Sequence, residues 1–430
     1  MRRKNLLSTT AFALSALVGV AACGSDSGDA GGSTALEGTG PITLVQGKDT
    51  SRFVKGVLDE WNKDNPDQKV TLVELPADAD SQRQQMVQNA QTESDEFDIL
   101  VVDVVWNAEF AANKYIVELP KDEFPLEDMF GPTVETATYF DKLYGIPQAS
   151  DGGMLYYRTD LMEAAGIDAP PATWAEMAEQ CKQIQATPEG KGLDCFAGQF
   201  EKYEGLTVNA AEAINGAGGE IIGDDGQPNV DTPEAAAGLD FLVSGFKSGL
   251  IPKEAITYTE EEGRRAFQGG KLIFHRQWPY IYNLASATDG SSKVAGKFAV
   301  APLPGLDGPG VSSLGGHNMG ISTFSKNKKT ALEFIKFYTS PEQARKQLEL
   351  ASLAPIYTDL YEDEALQKEF PFLPVLKESI LSAEPRPKVP NYGDATIAIQ
   401  DAAYSALTGD LTAEEAVAQM QSDLEAVVAK

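Results

Sequence analysis

FDILVVDVVW, residues 97–106, is an apolar run broken only by Asp98 and Asp103. A run of this kind marks a strand buried on both faces, as in a parallel sheet covered by helices. Upstream, SQRQQMVQNAQTESDE (81–96) reads as a polar helix and QKVTLVEL (68–75) as a strand. SRFVKGVLDEWNKDNP (51–66) places Phe53, Val57, Leu58 and Trp61 at helical spacing, and Asn65-Pro66 stops that helix. PITLVQG (41–47) is one more strand. Strands alternating with helices build βαβ units and a parallel sheet, so the fold class is α/β.

Downstream, KLYGIPQASDGGMLYYRTDLMEAAG (142–166) reads as a strand, a Gly/Ser/Asp turn, a second strand and a helix capped by Gly166. TWAEMAEQCKQIQA (173–186) is an amphipathic helix with Thr173 as N-cap, and TPEAAAGLDFLVSGFKSG (232–249) carries Pro233 at its first position. Residues 260–284 read as a helix, a Gly269-Gly270 break and a strand ending at Trp278. Residues 326–350 give two helices, and residues 396–430 are helical with a break at Gly409.

At the N-terminus, Arg2, Arg3 and Lys4 precede an apolar run from Leu6 to Val20, and Ala21-Ala22 precede Cys23. Cations, a short apolar run and a small-residue cleavage site make a secretory signal over residues 1–22. Val-Ala-Ala-Cys resembles the bacterial lipobox, which makes Cys23 the lipidation site; an ordinary signal peptide with an incidental cysteine is the plainer alternative. Residues 23–40 then form the anchor and a Gly/Ser-rich flexible tether.

About 390 residues remain, more than one ordinary core accommodates, so two lobes are expected. The formal charge of -29 argues against nucleic acid and anionic ligands, and suits a neutral or cationic one. Cys181 and Cys195, the other two of three cysteines, fit a local disulfide in an exported chain, or two buried thiols. With two histidines, no zinc spacing, no G-x-S-x-G and no phosphate loop, the chain offers no metal site, no cofactor motif and little catalytic machinery.

Four stretches in order carry a family resemblance: FDILVVDVVWNAEFA, KLYGIPQASDGGMLYYRTDLMEAAG, RRAFQGGKLIFHRQWPYIY and SLGGHNMGISTFSKNKKTALEFIKFYTSPEQARK. With the lipobox and tether, they resemble the family 1 extracellular solute-binding proteins of carbohydrate ABC importers. DVVWNAEFA and EPRPKVPNY narrow the likeness to actinobacterial lipoproteins that bind trehalose and related α-glucosides. The resemblance implies a two-lobed, periplasmic-binding-protein-like (type II) fold with the ligand in the cleft and hinges in the crossovers. It assigns 41–150 plus 318–355 to lobe 1 and 151–317 plus 356–430 to lobe 2. Hinges are expected near Ala149–Gly152, Gly315–Asn318 and Ser352–Ile356. A monomer, a small-molecule sugar and a membrane permease are the implied partners.

A neutral sugar presents hydroxyls and apolar C–H faces, so a site for it needs carboxylates and aromatic rings. Asp103 ends a buried strand, the usual ligand position in an open α/β sheet, or else it caps a helix. Trp106 follows on the same loop, as wall or core. Asp49 serves the ligand, a helix N-cap, or both. Asp151 lies in the first crossover, where the resemblance implies a binding residue. Glu204 falls in a loop like one that reaches the cleft, and Glu260 heads the helix before Phe267; solvated or cap roles are the alternatives. Trp278, with Tyr280, is the stacking platform. Gly315 and Gly316 allow close backbone approach, and His317 adds a donor or acceptor. Arg386 sits in a stiff Pro-flanked segment with Tyr392 nearby. A solute-binding protein for a peptide or polyamine is the alternative, and paired carboxylates also permit a secreted glycosidase, which the tether and crossover pattern oppose.

Overall fold

The strand expected across residues 97–106 stops at Asp103, because that side chain turns the backbone. Its Oδ1 accepts the Val105 N–H at 3.2 Å and its carbonyl accepts the Trp106 N–H at 2.9 Å. Val104, Val105 and Trp106 stay buried, which is why they read as strand. The helix Asn107–Ala112 follows. The computed structural model describes residues 36–49, 53–223 and 225–429. The signal, Cys23 and most of the tether lie outside them.

The first sheet contains β1 (Ile42–Gln46), β2 (Val70–Glu74) and β3 (Ile99–Asp103), joined by parallel ladders. The short hairpin β4 (Thr138–Tyr139) and β5 (Lys142–Leu143) stands apart. β6 (Ile146–Gly152) returns to the first sheet, and β7 (Met154–Arg158) leaves it for the second. The second sheet adds β8 (Asp194–Ala197), β9 (Leu272–Gln277) and β10 (Phe298–Ala301). β11 (Leu314–Ile321) crosses back. The strand orders are β2-β1-β3-β11-β6 and β10-β7-β9-β8.

The Ser/Asp turn expected between two strands is itself strand: Ser150 and Asp151 pair with Gly316 and Gly315 of β11. Only Gly153 separates β6 from β7, and its N–H donates to Ser312 Oγ at 2.6 Å, clasping the two crossovers together. A third connection passes beside them, where the Ser150 N–H donates to the Ala354 carbonyl at 3.4 Å.

Helix ends follow their local chemistry. Thr173 forms a capping box with Glu176, Thr232 caps Pro233–Ser248, and Gly166, Gly249 and Gly409 end helices at φ of 68°, 81° and 89°. Cys181, on the helix Trp174–Gln185, is bonded to Cys195 of β8 with Cα atoms 5.7 Å apart.

Candidate ligand cleft

The cleft forms where the sheet ends meet the crossovers. Asp103 closes β3 and faces His317 of β11, and Asp151 of β6 faces Gly315. A Cβ at position 315 would stand 2.8 Å from Trp278 Cζ3 and 3.3 Å from Asp151 Cβ. An indole edge, a bare backbone and a carboxylate thus lie together. Gly316 runs at φ 108°, and a Cβ there would lie 2.2 Å from the Ala149 carbonyl, so only glycine fits.

Asp151 accepts no hydrogen bond from the described residues. Burial, with Asp103 nearby, raises its carboxyl to about 7, while Arg276 pulls the other way. Burial also raises Glu260, although the neighbouring Tyr203 hydroxyl holds it down. That hydroxyl is buried and falls short of hydrogen-bond geometry with any described group. Glu261 is occupied instead: it pairs with Arg264 at 2.7 Å and accepts from the Tyr280 hydroxyl at 2.9 Å. Burial, added to the nearby Arg386, keeps His317 below its ordinary value despite Asp103.

Four expected residues meet in one buried network. Arg386 Nη2 donates to Asp103 Oδ1 at 2.7 Å, and its Nη1 donates to Glu204 Oε1 at 2.5 Å. Tyr392 donates to the same Glu204 oxygen at 2.5 Å, and Thr396 donates to the other at 2.7 Å. Burial raises the Glu204 carboxyl to about 7 against the pull of Arg386. One guanidinium therefore joins the end of the first sheet to the helix Glu204–Asn215. Asp80 and Gln400 make a second contact of this kind, at 3.2 Å.

Several expected site residues are engaged within the protein itself. Trp106 is 2% exposed and stacks on Phe110 at 6.5 Å, so its ring belongs to the core. Tyr392 is fully buried, with its hydroxyl engaged by Glu204. Arg386 spends both terminal nitrogens on carboxylates, and its buried Nε has no partner among the described residues. It also lines a cavity of about 40 Å³ with Val104, Thr136 and Leu314. Asp49 Oδ2 accepts the Val54 N–H at 3.1 Å, in the first turn of the helix Phe53–Asp64.

The sequence reading missed Arg276. Its Cζ lies 3.8 Å from the centroid of the Trp278 ring, and Glu212 grips it through Nε at 2.7 Å and Nη2 at 2.5 Å. The two-residue spacing to Trp278 was the available signal, because alternate strand positions share a face. Glu212 gave none, since it sits inside an otherwise unremarked helix. Among the described residues, no group of three or more His, Cys, Asp or Glu could hold a metal.

A two-lobed α/β fold whose crossovers run beneath a cleft defines a class of solute-binding proteins. The profile described as "Bacterial extracellular solute-binding protein" matches residues 46–345, and the chain belongs to that family. A Deinococcus radiodurans protein named "Probable ABC transporter-binding protein" is 33% identical, over 81% of this chain and 84% of its own. A mannitol-binding protein of Pseudomonas aeruginosa is 26% identical, over 79% and 82%. Maltose-bound MalE3 of T. maritima superposes with a TM-score of 0.85 at 33% identity, covering 90% of this chain and 99% of that one.

Proposed function

We propose that this chain is the extracytoplasmic binding lipoprotein of an ABC importer, capturing a neutral sugar by lobe closure and passing it to a membrane permease. Trehalose or another α-linked glucose disaccharide is the ligand we favour, with Cys23 as the lipidated anchor. The observation that carries this reading is the contact of Trp278, Gly315 and Asp151. An aromatic face takes sugar C–H groups, and a carboxylate without protein donors takes hydroxyls. The maltose-bound relative and the mannitol-binding relative support the chemical class. Asp103, Glu260, Tyr280 and Gly316 complete the proposed ligand shell, with Asp49 at its edge. Glu204, Arg386 and Tyr392 hold the wall behind it. The lobes divide as 41–150 plus 318–355 and 151–317 plus 356–430, with hinges at the three crossovers. The protein acts as a monomer and turns nothing over.

A thermal-shift screen tests this, because a ligand that binds only the folded state raises its melting temperature by mass action. Trehalose, maltose, mannitol, ribitol, an oligopeptide and spermidine are the probes. Stabilisation by the glucosides is expected. Stabilisation by spermidine or peptide alone overturns the sugar assignment, and steady glucose release from either disaccharide overturns the binding role.

A further inference from the structure

We infer that Arg276 is a positioning residue for the Trp278 platform, and that Glu212 fixes Arg276 in turn. Arg276 is 2% exposed, and its guanidinium lies against the indole. Every donor nitrogen on it is held: Nε and Nη2 by the Glu212 carboxylate, and Nη1 by Gln199 Oε1 at 3.0 Å. Gln199 is itself fixed, donating to the Arg276 carbonyl at 3.2 Å and accepting from Asn209 Nδ2 at 3.1 Å. The cation therefore has one orientation, and a planar cation locked in one orientation dictates where a stacked ring rests.

Glu212 reaches further. Its Oε1 also accepts the Ser313 N–H at 3.1 Å and the Ser312 hydroxyl at 3.4 Å. Ser313 immediately precedes Leu314 and Gly315, the glycine against which the indole edge lies. One carboxylate thus sets both the ring and the crossover strand that makes room for it. The ring's backbone is pinned independently, since the Trp278 carbonyl accepts the Tyr156 hydroxyl at 3.0 Å and its N–H donates to Gln277 Oε1 at 2.9 Å. With the backbone fixed, the indole has its two side-chain torsions left to settle, and the guanidinium lying 3.8 Å from the ring centroid limits them. Trp278 remains partly exposed, so the ring is not sealed inside the protein.

This assignment rests on the sugar-binding reading only for what the platform receives. Lysine at 276 keeps the charge but offers no plane and no fork. The chain has four tryptophans, so a ¹⁵N-indole spectrum is expected to show four resonances, and Trp278→Phe identifies one of them. In Arg276→Lys we expect the Trp278 resonance to move while those of Trp61 and Trp106 stay; Trp174 lines a small cavity with Arg276 and is no control. Affinity for maltose and trehalose, by titration calorimetry, should fall at least tenfold. A stationary Trp278 resonance overturns the inference, as does equal movement of all four with a lower melting temperature. Should wild-type protein bind neither sugar, the functional reading fails and the indole spectrum alone decides the role of Arg276. If Arg276→Lys does not fold, Glu212→Gln is read in the same way.

Discussion

Arg276 and Arg386 look alike and do different work. Each is buried, and each is paired with a glutamate of the helix Glu204–Asn215. Arg276 donates its hydrogen bonds to Glu212 and Gln199, on elements that surround the second sheet, and lies against Trp278. Arg386 takes half of its pairing from Asp103, at the end of the first sheet. A guanidinium tied within one lobe supports a surface. Arg386 instead bridges the end of the first sheet and the helix Glu204–Asn215.

The comparison breaks first at the point of largest effect. Glu212→Ala leaves the Arg276 charge buried and unpaired, which should cost about 3–5 kcal/mol of stability. Chemical denaturation should show that loss. Glu204→Ala should cost less, because Asp103 still pairs with Arg386; an equal loss would erase the distinction between the two clusters. Next is the disulfide between Cys181 and Cys195, 14 residues apart, which ties the helix Trp174–Gln185 to β8. Its replacement by two serines should remove about 3 kcal/mol and leave sugar affinity unchanged, since neither cysteine touches the cleft. Arg386→Ala should weaken sugar binding about tenfold, roughly 1.4 kcal/mol. Small-angle scattering should then find the ligand-free protein more open than wild type, whereas Arg276→Lys should leave that envelope unaltered.

A further effect is set by pH. The Asp151 carboxyl sits at about 7, above its ordinary value of 3.8, chiefly through burial. The folded state therefore holds that proton more tightly than the unfolded chain. Its contribution favours folding at low pH and is lost as pH rises from about 4 through 7, with a slope of at most about 1.4 kcal/mol per pH unit. Asp151→Asn should raise the melting temperature more at pH 8 than at pH 5. An equal change at both would show that Asp151 titrates normally.

Periodicity made most of the architecture legible. Phe53, Val57, Leu58 and Trp61 lie buried along one helix as their spacing requires, and Thr173 and Gly166 cap as their chemistry dictates. The misreadings share a cause. Residues 104–106 and 150–151 were judged by local composition, while hydrogen bonding decided their conformation: Asp103 accepts the Val105 and Trp106 N–H groups, and Asp151 pairs with Gly315. At the site, Trp278, Asp151 and Gly315 could be picked out as residue types that suit a sugar. The Glu204–Arg386–Asp103 chain could not, because its members are 182 and 283 positions apart and sequence carries no distance between them.

Titration calorimetry with trehalose and maltose, run in parallel on the wild-type protein and on Trp278→Ala, tests the central claim most directly. The account predicts low-micromolar binding of at least one disaccharide, near -8 kcal/mol, and a loss of about tenfold or more in the variant while its melting temperature holds. No heat from either sugar with wild-type protein, or equal affinity in both proteins, would contradict it.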